Sequence, residues 1–194
     1  MIKNKKLIIV LNSFPMVMNN KKVIAFEYLV KCLLKWKSEE LKIPIYKAFL
    51  SKTQVLKLLF LTSAIQTSEG EDLLNVFNRF YAMQFGPVEG DIYAALAEKG
   101  FREIVVKDFS LYLSEPNDID AIVDNYGLKK QIDTSVTLLR SANSKLIVLS
   151  ATELVDITHK WWCWKKAFLN AQMFNKGSYL MTISSIRQSN KTFA

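Results

Sequence analysis

The first sustained hydrophobic pattern in the chain begins at Val23. Phe26, Leu29, Val30 and Leu33 recur at i, i+3, i+4 and i+7, the spacing of one helical face. Glu27, Lys31 and Lys35 fall on another face in the favourable acid-before-base order, and Trp36 closes the predicted helix ahead of the charged stretch KSEELK. Ile43-Pro44-Ile45 reads as extended, because the proline ring pushes the residue before it out of the helical region. Ser51 and Gln54 have the spacing of a capping box and announce a second helix. Val55, Leu58, Leu59 and Thr62 share a face that Leu56 and Phe60 widen, so this helix is predicted to be buried and to run to about Thr67. The acidic SEGED stretch after it reads as a loop.

Residues 73–85 mix aromatic and polar positions and read either as a short strand or as irregular chain, which Gly86-Pro87 ends. Val88, Ile92, Ala95 and Leu96 then predict a short helix stopped at Lys99-Gly100. Glu103 to Val106 reads as a strand, with a small hairpin if Phe109 to Leu113 pairs with it. Ser114 and Pro116 open a helical region with Ile119, Ile122, Val123 and Tyr126 inward, interrupted by Gly127. Leu128, Ile132, Val136 and Leu139 carry helical spacing on to about Ala142.

The apolar run Leu146 to Leu149 leads to a second capping box, Ser150 with Glu153. In the helix beginning there, Leu154, Ile157, Thr158 and Trp161 face one way and Val155, His159 and Trp162 another. A short helix continues to Met173, and beyond Gly177 the chain is polar and basic, with Ile183 and Ile186 as its anchors and an end expected to fray. The pattern therefore predicts a mainly α fold: one compact helical domain of six to seven helices over residues 23–173, with room for one small β-hairpin, and a basic tail over residues 174–194. Residues 1–22 stand apart as an N-terminal extension. Their apolar run from Leu7 to Met18 is broken by Pro15 and too short to span a bilayer. It reads as upstream chain, with Met16 or Met18 the natural start, or as an ordered strand or arm, ahead of an export signal.

Composition changes the picture in two respects. Hydrophobic residues at 50% and charged residues at 23% indicate a globular chain. Cys32 and Cys163 are too few and too far apart for a disulfide framework or a cysteine metal site, which fits a reduced cytoplasmic setting. The net charge of +8 is distributed as +9 over residues 1–60, −7 over 61–156 and +6 over 157–194, the last segment carrying no acid. An acidic middle between basic ends differs from the uniform stripe of a protein that coats nucleic acid.

The rare residue types gather in SATELVDITHKWWCWKKAF, Ser150 to Phe168, which holds the single histidine and three of the four tryptophans. With one histidine, His159 reads as an aromatic-packed structural residue ahead of a catalytic base, and Cys163 as a buried thiol ahead of a thiolate lowered by Lys160, Lys165 and Lys166. The acid pairs Glu71/Asp72 and Asp118/Asp120 suit helix starts and not a hydrolytic pair. No catalytic, cofactor or metal motif is present, so a non-enzymatic protein with no cofactor and no bound metal is expected. Trp161, Trp162, Lys165 and Lys166 are the candidate partner-binding residues, for a protein partner first and for nucleic acid as an alternative.

Two segments together resemble the SocA-like Panacea antitoxin family. The first is FNRFYAMQFGPVEGDIYAAL, Phe77 to Leu96, similar to that family's aromatic segment, Gly-Pro-Val element and tyrosine-bearing helix. The second is LSATELVDITHKWWCWKKA, Leu149 to Ala167, similar to its late Leu-Ser, Glu-Leu, Thr-His and tryptophan motif. The resemblance covers roughly residues 23 to 170, and the WWCW run departs from the family's single tryptophan, for which Trp164 is the best match by position. It implies a helical scaffold in which Phe85, Gly86, Pro87 and Val88 hold the central turn and His159 with Trp164 brace the late helix against it, with Tyr93, Glu153 and Leu154 as further scaffold residues. It implies, as function, an antitoxin of a toxin–antitoxin pair that neutralises an adjacently encoded toxin by direct binding. Delivery of a partner to a protease and nucleic-acid regulation are the alternatives.

Overall fold

Ser51 starts the helix around which the chain is built. Its hydroxyl accepts from Gln54 N–H at 3.2 Å while Gln54 Oε1 accepts from Ser51 N–H at 2.9 Å, completing the predicted box. The helix α2 (Lys52–Ala64) is buried at every position from Gln54 to Ala64, the mark of a helix enclosed on all sides rather than lying on a surface. The computed structural model describes residues 21–66, 70–114 and 118–194; readings on residues 1–20, on Thr67 and on Pro116 lie outside the described residues.

Helix α1 (Lys21–Leu41) packs beside it, with every residue from Val23 to Val30 buried. It runs a full turn beyond Trp36, and in that turn Glu39 and Glu40 pair with Arg140 and Lys145, each at 2.6 Å. Glu27, expected on a polar face, is buried, and its Oε1 accepts from the N–H groups of Arg102 at 2.6 Å and Glu103 at 2.9 Å.

The strands are short. β1 (Leu50–Ser51), β4 (Ile104–Lys107) and β5 (Ser110–Leu113) form an antiparallel sheet in the order β1-β5-β4. β2 (Phe80–Met83), β3 (Gly86–Glu89) and β6 (Tyr179–Leu180) form another, in the order β3-β2-β6. The remaining helices are α3 (Gly90–Glu98), α4 (Ile119–Asn125), α5 (Lys129–Ala142), α6 (Ala151–His159), α7 (Trp162–Met173) and α8 (Ile183–Gln188).

The fold is therefore mixed α/β, and the expectation of a mainly α domain with one hairpin is corrected: among the described residues eight α-helices accompany six strands in two sheets. One hairpin, β4–β5, lies where the sequence suggested it. The other was hidden because Gly-Pro reads as a break, whereas Gly86-Pro87 sits inside β3. As an edge strand, β3 tolerates a proline that lacks a donor. The helix expected from Val88 begins instead at Gly90, where buried Glu89 accepts from Ile92 N–H at 2.9 Å and caps it.

Residues 174–194 form part of the packed structure and do not hang as a fraying end. β6 pairs with β2, and Met181 and Ile186 are buried. Arg187 grips buried Asp72 through Nε at 2.6 Å and Nη2 at 3.2 Å. Lys191 donates to the carbonyls of Ala64 and Gln66 at the end of α2, a cation placed where the helix dipole is negative.

Candidate functional site

The sequence segments 77–96 and 149–167 meet at β3. Gly86 has φ +89, a conformation that disfavours any side chain, and a Cβ there would lie 2.7 Å from Thr158 Oγ1 and 3.0 Å from Lys57 Cε. Glycine is thus required both by backbone and by space. From α2, the buried Lys57 side chain donates to Pro87 O at 3.0 Å. No carboxylate pairs with it among the described residues, and burial pushes its pKa down to about 7.

On the other side of this junction α6 ends and α7 begins. Thr158 Oγ1 donates to Val155 O at 2.9 Å. The His159 ring stacks on Trp164 with centroids 3.7 Å apart, and Trp164 stacks on Phe168 at 4.9 Å. Trp164 Nε1 donates to Met83 O at 3.1 Å, which fastens α7 to β2. Burial lowers the His159 pKa, and the Lys57 charge adds to the effect against the opposing Asp156 charge and the Gln84 backbone. The imidazole has a buried Nε2 with no hydrogen-bond partner among the described residues. It serves as a ring in a three-ring stack.

The expected single helix from Ser150 is broken at Lys160-Trp161, and this break decides which tryptophans face solvent. Trp161, named above as a candidate partner contact, is fully buried. Its indole packs on Phe60 at 4.9 Å and Phe193 at 5.9 Å, and Nε1 donates to Thr192 O at 2.9 Å. It presents no surface to a partner. Trp162 is 59% exposed and shares the outer face of α7 with exposed Lys165, Lys166, Leu169 and Met173.

Phe85, at the β2–β3 turn, is 67% exposed and holds nothing by burial, whereas Pro87 and Val88 are buried. Tyr93 lies exposed on α3, Leu154 is buried in α6, and exposed Glu153 closes the second capping box, with Oε2 accepting from Ser150 N–H at 2.7 Å. The arrangement is a rigid buried junction under a surface of aromatic, aliphatic and lysine side chains.

Other candidate chemistry is dispersed. Cys163 is buried and burial pushes its thiol pKa up, while its N–H donates to Ser189 Oγ at 3.0 Å. Both cysteines are free. Asp72 and Asp120 are engaged by Arg187 and Lys31. A groove of about 500 Å³ between α1 and α5 is lined by Tyr28, Cys32 and Asp133 among others. There Tyr28 Oη donates to Asp133 Oδ1 at 2.7 Å and burial beside Asp133 pushes the Cys32 thiol up to about 12, so neither is an activated nucleophile.

Among the described residues no three His, Cys, Asp or Glu side chains converge as a metal ion requires, and no helix is long and apolar enough to cross a membrane. No family model, curated protein or solved structure matches the chain. Sequence reading placed Lys57 within a buried helix and gave it no role of its own. Its signal was a lone lysine inside the otherwise apolar run from Val55 to Leu61.

Proposed function

We propose that the chain is a non-enzymatic antitoxin that neutralises a toxin by direct protein contact through the outer face of α7 and the β2–β3 turn. The observation that carries the reading is the meeting of the two motif segments. Buried Lys57 donates to Pro87 O and shares with Thr158, about seventy residues from Gly86 in sequence, the space beside that glycine, while the adjoining His159 stacks on Trp164. A junction of this kind fixes the relative position of the turn and α7. Trp162 and Phe85, both large and exposed, are then anchors held at low entropic cost on a rigid support. The segment 157–194, which has six bases and no acid, favours an acidic partner surface.

Co-expression with the product of the adjacent open reading frame tests the proposal. Growth arrest by that product should be relieved by the wild-type chain, with a complex that co-elutes on size exclusion. The double variant Phe85→Ala, Trp162→Ala should lose both relief and complex while keeping its fold. A toxic neighbour that is neither bound nor neutralised would sink the reading, and relief that requires a cellular protease would replace inhibition with delivery for degradation.

A further inference from the structure

The sheet β1-β5-β4 carries a second surface with an unusual construction. Its inward side is buried through Leu50, Leu111 and Ile104. Alternation assigns the opposite side to solvent, where polar residues are the rule. Val105 instead lies exposed across from Tyr112 in the β4–β5 register, and the Tyr112 ring lies 5.7 Å from that of exposed Phe49. An apolar row thus crosses the open face of the sheet.

The β4–β5 turn extends it. Lys107 pairs with Ser110, leaving a two-residue turn, Asp108-Phe109, with φ of +46 and +64. Turns of this shape call for glycine at the second position, since a Cβ there crowds the backbone. The chain places phenylalanine, holds its carbonyl through Lys52 N–H at 2.8 Å, and leaves the residue 78% exposed. Strain is accepted here and burial does not offset it, which is the pattern of a residue kept for what it contacts.

Charge indicates the kind of contact. Lys52 Nζ lies 5.6 Å from the Phe109 ring centroid, Lys37 Nζ 5.2 Å from that of Phe49, and Lys47 Nζ 5.9 Å from that of exposed Tyr46. Glu39 and Glu40 are held by Arg140 and Lys145, and exposed Asp108, in the turn itself, is outnumbered by Lys37, Lys47, Lys52 and exposed Lys107. Ammonium groups over the rings obstruct the stacking that nucleic-acid bases need, while leaving ring edges and cations for mixed apolar and acidic side chains.

We propose that this face docks an acidic, apolar segment of a protein partner, with Phe109 as its central anchor and Lys37, Lys47 and Lys52 meeting carboxylates. The inference stands apart from the α7 surface and from the antitoxin reading. It is tested with the full chain and a labelled short peptide alternating glutamate with leucine, alongside a glutamate–serine peptide and an oligothymidylate, by fluorescence anisotropy. The leucine peptide should bind saturably, weaken with salt, and exceed the serine peptide by about tenfold or more.

Phe109→Gly should weaken that binding about tenfold while raising the melting temperature, because glycine relieves the left-handed residue. Trp162→Ala should leave it unchanged. Absence of saturable binding, equal binding by Phe109→Gly, or tighter binding of the oligothymidylate overturns the proposal. Self-association of the wild-type chain abolished by Phe109→Gly would overturn it in favour of a second copy as occupant.

Discussion

At the scale of single residues, the junction at β3 turns on two side chains and one absence. Gly86→Ala forces a Cβ to within 2.7 Å of Thr158 Oγ1 at φ +89, so a loss of about 2–3 kcal/mol of stability is expected in denaturant titration. Lys57 makes a pH prediction. Its pKa is pushed down to about 7 in the fold, against ~10.4 for an unperturbed lysine, so between those values the unfolded chain binds more protons and stability rises with pH. The melting temperature should climb from about pH 7 to about pH 9, and Lys57→Met should flatten the climb. The remaining slope belongs in part to Lys191, which burial lowers to about 8 with the same sign. An equally steep climb in the variant would remove Lys57 from the account.

At the scale of elements, the two capping boxes were legible because each is a local contract between residues three apart, indifferent to the rest of the fold. Ser51→Ala and Ser150→Ala should each cost about 1 kcal/mol in equilibrium unfolding, since each strips an acceptor from a helix start. The break between α6 and α7 was not legible. Its consequence is an asymmetry between adjacent tryptophans: Trp161→Ala should lose about 3–5 kcal/mol through the cavity left against Phe60 and Phe193, whereas Trp162→Ala should stay within about 0.5 kcal/mol. Comparable losses at the two positions would mean that Trp162 also serves the core. The strand β3 was missed for a related reason. Four residues that begin Gly-Pro carry no alternation, and only pairing with β2 makes them a strand.

At the scale of the whole molecule, the last segment closes the structure. β6 completes one sheet, Arg187 neutralises buried Asp72, Ser189 Oγ accepts from Cys163 N–H, and Thr192 O receives the Trp161 indole. Removing residues 177–194 takes the guanidinium from buried Asp72, leaving it the Leu74 N–H alone, and leaves the Trp161 indole donor without a partner; each loss of that kind costs about 1–3 kcal/mol or more. The truncated chain should therefore lose its cooperative thermal transition by circular dichroism. Retention of a sharp transition near the wild-type temperature would show that the segment is dispensable.

The sequence by itself determined the capped helix starts at Ser51 and Ser150, the periodic helices α1 and α5, and the buried character of α2, and it offered the β4–β5 hairpin as one of two readings. These follow from interactions within a few residues, where chemistry and spacing are both printed in the chain. The tertiary structure alone decided that Gly86-Pro87 is a strand, that β6 joins β2 from about one hundred residues away, that Lys57 lies buried against Pro87, and that Trp161 turns inward while Trp162 turns out. Each depends on what lies across the fold: a partner strand to accept backbone hydrogen bonds, or a neighbouring ring to receive an indole. Such partners are set by packing and leave no period in the sequence.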